Sequence, residues 1–104
     1  MILSTTHSVP NKEIDQILGI ARGSTVRTRN IGRDIVASLK NIVGGEIEEY
    51  TKLQADAREQ AIERMIADAK RLNADAIVGI LITSAMVTNG AAEILAYGTA
   101  VKLK

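Results

Sequence analysis

The stretch AIVGILITSAMV, Ala76–Val87, decides the fold, because almost every residue in it is apolar and many are β-branched. The tripeptide Thr88-Asn89-Gly90 is typical of a hairpin turn, and Ala91–Leu103 continues as a second strand. Successive side chains of a strand point to opposite faces of a sheet, and both sets are apolar in the first strand. A strand of this kind requires cover on both faces.

A long amphipathic helix precedes this hairpin. Its apolar residues recur at spacings of three and four for more than five turns, with charged residues on the opposite side. The apolar stripe consists of Tyr50, Leu53, Ala57, Ala61, Met65, Ala69 and Leu72. Acidic residues occupy the first turn and basic residues the last, as the helix dipole favours, and Asn73 is the predicted C-cap. The alanine-rich stripe predicts a close approach between helix and sheet.

The N-terminal part of the chain alternates with a period of two from Glu13 to Ala21, which predicts a strand. Arg22-Gly23 interrupts this pattern, which resumes in Ser24–Arg29. Two interpretations are open at this point. Either one long strand is bulged at Gly23, or a tight turn joins two short strands.

A second, shorter helix is predicted between the strand and the long helix. Apolar residues recur at helical spacing over Ile31–Ile42, Asn30 is a candidate N-cap, and Gly44-Gly45 ends the pattern. The order strand, helix, helix, strand, strand predicts an α+β fold, a two-layer β-α-β-β sandwich. In it a small, mainly antiparallel sheet of three strands is covered by helices. Residues 1–104 form a single domain.

The composition excludes several classes of function. The chain has no Cys and one His, so it has no disulfides, zinc-thiolate site or thiol nucleophile. Aromatic residues are 2% of the chain, which disfavours nucleic-acid binding by base stacking. The net charge is +1, which disfavours nucleic-acid binding through a strongly basic surface. Neither a membrane-spanning stretch nor a signal peptide is evident, so a cytoplasmic protein without a membrane partner is expected.

The same apolar strand predicts self-association. One helical layer covers one face of the sheet, and a bare apolar face would be larger than soluble monomers usually expose. We therefore expect a homo-oligomer, either a dimer or a closed ring, in which a second copy covers that face.

Several spaced motifs resemble the YbjQ-like family over essentially the whole chain. They are Ser4-Thr5-Thr6, Asn30-Ile31-Gly32-Arg33-Asp34, Ile42-Val43-Gly44-Gly45-Glu46 with Tyr50, Ala57-Arg58, Met65, Ala74-Asp75-Ala76-Ile77-Val78-Gly79 and Tyr97-Gly98-Thr99-Ala100-Val101. The resemblance implies a dodecin-like subunit in a homopentameric ring, from a family labelled uncharacterised and heavy-metal-binding. Relatives often carry acidic residues where this chain has Leu81, Thr83 and Ala85, so those carboxylates are missing here.

Three residues are candidate metal ligands: His7, Glu46 and Glu49. A ring could gather one His7 from each subunit around its axis, and carboxylates suit hard cations. The plainer interpretations are a surface histidine and acidic residues that favour the start of a helix. A metal ion is the only cofactor that these residues suggest, and its identity is not specified by them.

The segment 22–40 has five basic residues and one acidic residue, which predicts either an anion site or ion pairs with the acidic helix. Arg29 and Arg33 are the candidate anion ligands. Arg33 and Asp34 are also expected at the subunit contact.

Four further residues are expected to be structural or to lie at an interface. They are Gly44, Gly45, Arg58 and Gly98. Gly44-Gly45 is interpreted as a hinge between two helices, and Gly98 as a bulge or a close approach of another backbone. No catalytic residue is assigned, because Ser84 and Thr99 lack a neighbouring base.

The sequence therefore predicts a cytoplasmic, non-enzymatic binding or scaffold protein that forms a homo-oligomer, with a metal ion or small anion as ligand. The alternative is an enzyme whose site lies at subunit boundaries. That site would be built from Arg33, Asp34, Glu46 and Arg58.

Overall fold

The computed structural model of the chain describes residues 1–28, 48–88 and 90–104. The elements in this part are β1 (Ile2–Leu3), β2 (Ile14–Thr28), α1 (Glu48–Arg71), β3 (Ala76–Thr88) and β4 (Ala91–Leu103). The strands form one mixed sheet in the order β1-β3-β4-β2, in which β1 is parallel to β3 and the other neighbours are antiparallel. The predicted α+β class is confirmed. The predicted short helix at 31–42 lies outside the described residues.

The hairpin of β3 and β4 forms where the sequence predicts it. Its register runs from Ala76 opposite Val101 to Thr88 opposite Ala91. An irregularity between Val78 and Leu81 interrupts the pairing, and Gly79 lies within it with a φ of 63°. This left-handed conformation is one that glycine adopts without steric penalty.

The strand β2 is a single strand of 15 residues, so the tight turn at Arg22-Gly23 is wrong. The bulge expected at Gly23 is also wrong, because Gly23 pairs regularly with Ala96. The irregularities lie near the start of the strand, between Ile14 and Gln16 and between Ile17 and Gly19. Gly23 lies directly beneath α1, where a Cβ atom would overlap the helix backbone. The glycine therefore permits close packing of the helix and does not mark a break.

The helix α1 buries its small residues against β2 and β4. Ala57, Ala61, Met65 and Ala69 are at most 1% exposed and pack with residues of both strands. The predicted C-cap residue, Asn73, has a φ of 62°. Its N–H donates to the Lys70 carbonyl at 3.0 Å, and the Ala74 N–H donates to the Ala69 carbonyl at 3.1 Å. These two bonds form a Schellman motif, which ends the helix.

The strand β1 was not predicted, and it makes the sheet four-stranded instead of three-stranded. Ile2 pairs with Ala76 and Leu3 pairs with Ile77. The chain then crosses the face opposite α1, where Val9 packs in a second small apolar cluster. That cluster contains Ala76, Val78 and Val101, with Ile14 and Leu103 at its margin.

The chain is elongated. Its principal extents are 54 × 26 × 16 Å and its radius of gyration is 17.1 Å, whereas a compact domain of this length has about 13 Å. Among the described residues, no helix combines the length and apolar composition required to cross a membrane.

Candidate functional site

The N-terminal segment is hydrogen-bonded to β3 at Gly79. The Gly79 N–H donates to the Thr6 carbonyl at 2.8 Å, and the Ile80 N–H donates to the Ser4 carbonyl at 3.1 Å. The hydroxyl of Thr6 in turn donates to the Ser8 carbonyl at 2.7 Å. The imidazole of His7 lies beside Gly79, where a Cβ atom would be 3.1 Å from its Nδ1. The irregularity in β3 thus holds the backbone before His7, at Ser4 and Thr6, and the Thr6 hydroxyl holds the Ser8 carbonyl after it.

His7 has no partners that would complete a metal site in the described parts of one chain. No three His, Cys, Asp or Glu side chains come together there. Heavy metals favour thiolate and imidazole donors, and the chain has no Cys and one His. The donor set of one subunit therefore does not fit a heavy-metal ion.

The other predicted site residues are dispersed or lie outside the described residues. Glu49 belongs to the first turn of α1, and Arg58 is exposed on the same helix. Gly98 is buried in β4 opposite the irregularity of β3, where a Cβ atom would be 2.7 Å from Cγ2 of Ile77. Six residues lie outside the described ranges: Arg29, Arg33, Asp34, Gly44, Gly45 and Glu46.

Two carboxylates that were not among the predicted site residues join elements of the fold. Asp75 accepts hydrogen bonds from the Leu103 N–H at 2.9 Å and from Lys102 Nζ at 3.3 Å. Asp68 accepts them from Arg71 Nη2 at 2.8 Å and from the Arg22 N–H at 3.0 Å.

These donors lower the pKa of both carboxyls. For Asp68 the largest cause is the hydrogen bond from Arg71, and for Asp75 it is the backbone N–H of Leu103. A carboxylate that such donors hold ionised contributes to the stability of the fold, whereas proton transfer near neutral pH requires a raised pKa.

The first residues of the basic segment contact the helix, and the contacts described are hydrogen bonds and not the expected ion pairs. Arg27 Nη2 donates to Gln60 Oε1 at 2.9 Å, and Arg64 Nη1 donates from the helix to the Ser24 carbonyl at 2.6 Å. With the bond from the Arg22 N–H to Asp68, three polar contacts join β2 to α1. Arg22 and Arg27 therefore contribute to helix packing at these contacts.

The second half of β3 is the most exposed apolar segment described. We call Leu81–Thr88 the β3 arm, and all eight of its residues are exposed. Its exposed fractions are 57% for Leu81, 43% for Ile82, 75% for Met86 and 57% for Val87. The arm contains no charged residue. The sequence predicts that this strand is apolar on both faces, but it does not predict which half is left uncovered.

The topology explains this exposure on both faces. Ile82 pairs with Ala96, which lies on the α1 side, but α1 covers β2 and β4 and barely touches β3. Leu81 pairs with Tyr97 on the opposite face, beyond the cluster around Val9. The pairing of β1 with β3 ends at Leu3, so in the described structure β4 is the only strand beside the arm.

These features define a class of protein: a small α+β protein with one described helix on a mixed sheet and an exposed apolar arm. The chain belongs to the YbjQ family, because residues 1–104 match its profile, which is described as "Putative heavy-metal-binding".

Proteins named UPF0145 protein are similar over nearly their whole length. The one from Archaeoglobus fulgidus is 55% identical over 104 residues, which are 100% of this chain and 96% of that protein. The one from Colwellia psychrerythraea is 53% identical over 100% of this chain and 99% of that protein.

A solved structure is similar in fold. It is a protein of unknown function of the DUF74 family from Pediococcus pentosaceus, with a TM-score of 0.67 and 16% identity. The match covers 100% of this chain and 98% of that one. This likeness supports the arrangement of helix and sheet.

Proposed function

We propose that this protein is a homo-oligomeric binding or scaffold protein of the cytoplasm whose subunits associate through the β3 arm, Leu81–Thr88. The observation that carries the proposal is the exposure of this uncharged apolar segment on both faces of the sheet. The stoichiometry we propose is five, in a closed ring, which is what the motif resemblance implies.

The edge of the β3 arm supports self-association. Exposed edge strands of monomeric proteins usually carry a charged residue, a proline or a bulge that blocks pairing with another chain. The arm has no charge and no proline over eight residues, and its one pairing irregularity lies at its end, between Met86 and Thr88, so that Leu81–Met86 is a regular edge. The buried centre of an interface typically has few charged residues and is enriched in Met.

The shape of the protomer supports the same proposal. The radius of gyration of 17.1 Å exceeds the value of about 13 Å for a compact chain of this length. In an elongated chain whose arm is left uncovered by the described residues, the arm is free to pack against another copy. Complete burial of a Leu, Ile or Met side chain stabilises by about 1.5–3 kcal/mol, and the arm offers several that are half exposed.

The mass of the protein in solution tests this proposal. Native mass spectrometry on protein purified without a metal-affinity tag should give five times the chain mass of 11.1 kDa. Met86→Asp should lower that mass, because it puts a carboxylate into the contact at a position with little packing within its own subunit. A wild-type mass of 11.1 kDa at micromolar concentration would contradict the proposal.

For metal binding, which the family description includes, we propose donors from several copies of this chain, because no three ligating side chains come together within the described residues of one copy. His7 is the only imidazole, and its backbone neighbours are held next to the start of the arm. Zinc titration of the assembled protein should therefore give less than one ion per chain, and His7→Ala should abolish binding without changing the mass. Equal binding by wild type and His7→Ala would exclude this histidine as a ligand.

A further inference from the structure

Two buried polar atoms of β2 have no hydrogen-bond partner among the described residues. They are the hydroxyl oxygen of Thr25 and the Nε atom of Arg27. Thr25 is 2% exposed and lies on the face of β2 that α1 covers, as Ala21 and Gly23 do. A buried donor without an acceptor destabilises a fold, so a ligand that accepts from both atoms would stabilise this one.

The two atoms belong to one part of the interface between α1 and β2. Thr25 and Arg27 are two positions apart, so their side chains leave the same face of the strand. Gly23 lies beneath Ala61 of α1. Arg27 Nη2 donates to Oε1 of Gln60, the neighbour of Ala61, at 2.9 Å. The Arg27 side chain therefore runs back along β2 toward Gly23, past Thr25, which brings its Nε atom toward the Thr25 hydroxyl.

This part of the interface is positively charged. Arg27 meets the neutral amide of Gln60, and Arg64 of the helix donates to a backbone carbonyl of β2 at 2.6 Å. Both guanidinium groups thus meet neutral oxygens at these contacts. The acidic residues nearest to Gln60 along α1, Glu59 and Glu63, are exposed. A partly buried positive charge is stabilised more by an anion than by a neutral partner.

We propose that a chloride ion binds between Thr25 and Arg27 and accepts a hydrogen bond from each, at Oγ1 and at Nε. The hydroxyl and the guanidinium group both offer a proton, and a halide ion accepts from both. Both atoms are fully enclosed, which favours a monatomic ion. A phosphate ion would leave most of its oxygens without donors there.

This inference goes beyond the proposed self-association, because both donors belong to one copy of the chain. It assigns the anion expected from the basic segment 22–40 to residues other than Arg29 and Arg33, which lie outside the described residues. The bound ion holds the Arg27 guanidinium under the helix. Chloride should therefore stabilise the packing of α1 on β2.

Thermal unfolding in chloride tests the site. Sodium chloride replaces sodium gluconate at constant ionic strength and constant protein concentration, and circular dichroism gives Tm. A ligand that binds only the folded chain, at ten times its dissociation constant, raises the ratio of folded to unfolded protein about elevenfold. The Tm of the wild type should therefore rise by roughly 5–10 °C at that chloride concentration.

Two substitutions each remove one donor. Thr25→Val removes the hydroxyl and Arg27→Gln removes Nε, so the Tm of both variants should not depend on chloride. Thr25→Ser keeps the hydroxyl and should keep the wild-type dependence. Arg58→Gln is the matched control, because it removes the same charge from an exposed position of α1, and it should also keep that dependence. Without chloride, Thr25→Val should be at least as stable as wild type.

Three outcomes would overturn the chloride site. The first is a wild-type Tm that chloride does not raise, which would mean that water bonds these two atoms. The second is an equal chloride dependence in wild type and Thr25→Val. The third is loss of the dependence in Arg58→Gln, because chloride would then act through the net charge.

Bromide provides a second measurement that needs no variant. In crystals grown with bromide in place of chloride, an anomalous peak should lie between Thr25 Oγ1 and Arg27 Nε. A bromide-grown crystal without a peak at that position would contradict the site. The mass of the protein in solution tests self-association separately, so the failure of one proposal leaves the other standing.

Discussion

The carboxylate of Asp75 accepts a hydrogen bond from the backbone N–H of Leu103 at 2.9 Å, which joins the start of β3 to the last residue of β4. The backbone of Asp75 makes two further bonds. Its N–H donates to the Val101 carbonyl at 2.9 Å, and its carbonyl accepts from the Ile2 N–H at 3.2 Å. Asp75 therefore joins three strands at one end of the sheet, and its charge contributes to the stability of that end.

Acid should weaken this junction, and substitution of Asp75 should remove the effect. The Leu103 N–H and Lys102 lower the pKa of Asp75 below its ordinary value of 3.8. Its contribution to the free energy of unfolding is therefore fully present above about pH 3.8 and is lost as the pH falls through the lower, folded value. Asp75→Ala should lower Tm at pH 7, and the difference from wild type should shrink below pH 3.8.

Asp75→Asn is the matched control for this acid effect. It keeps an oxygen that can accept the Leu103 N–H but removes the charge opposite Lys102. Its Tm at pH 7 should lie between those of wild type and Asp75→Ala, as measured by thermal circular dichroism. A Tm difference between wild type and Asp75→Ala that stays constant from pH 7 to pH 2 would contradict the assigned role.

Gly23→Ala should destabilise the fold, although alanine is small and Gly23 lies in a regular strand. Its Cβ atom would overlap the backbone of α1 at Ala61 and Met65, so the helix would have to move away. Overpacking of a well-packed core lowers the free energy of unfolding by about 1–3 kcal/mol. Urea denaturation measures this loss. Ser24→Ala, at the exposed neighbouring position, should change it by less than about 0.5 kcal/mol.

The helix and the hairpin could be predicted because their signals are local. The apolar stripe of α1 repeats over many turns, and Thr88-Asn89-Gly90 separates two strands of equal length. The strand β1 could not be predicted, because two residues, Ile2 and Leu3, give no periodicity and pair with a strand more than 70 positions away.

The role of Gly23 and the exposure of the β3 arm depend on tertiary contacts. A glycine in an alternating pattern is equally typical of a bulge, a turn and a close approach, and only the position of α1 distinguishes these. The apolar composition of β3 predicts that it needs cover. Which half the subunit itself covers depends on where α1 crosses the sheet.

The conformation of Asn73 predicts an unusual order of substitution effects. At a φ of 62°, glycine is unstrained, alanine is strained, and a β-branched residue is strained most. Asn73→Gly should therefore keep the wild-type stability, whereas Asn73→Ala and Asn73→Val should lose about 1 and 2 kcal/mol in urea denaturation. Equal stability of the Gly and Val variants would show that this residue does not hold the Schellman motif.

Thr25→Val should leave the fold as stable as wild type or stabilise it, although Thr25 is only 2% exposed. Its hydroxyl has no hydrogen-bond partner among the described residues, and an unsatisfied buried polar group lowers stability by about 1–3 kcal/mol. Valine keeps the branched shape and removes this group. Thr25→Ser, which keeps the hydroxyl and loses the methyl group, should be less stable than wild type by roughly 1 kcal/mol. Urea denaturation of both variants separates the effect of the hydroxyl from the effect of the methyl group. If the Thr25→Val protein were less stable than the Thr25→Ser protein, the hydroxyl would be hydrogen-bonded in solution.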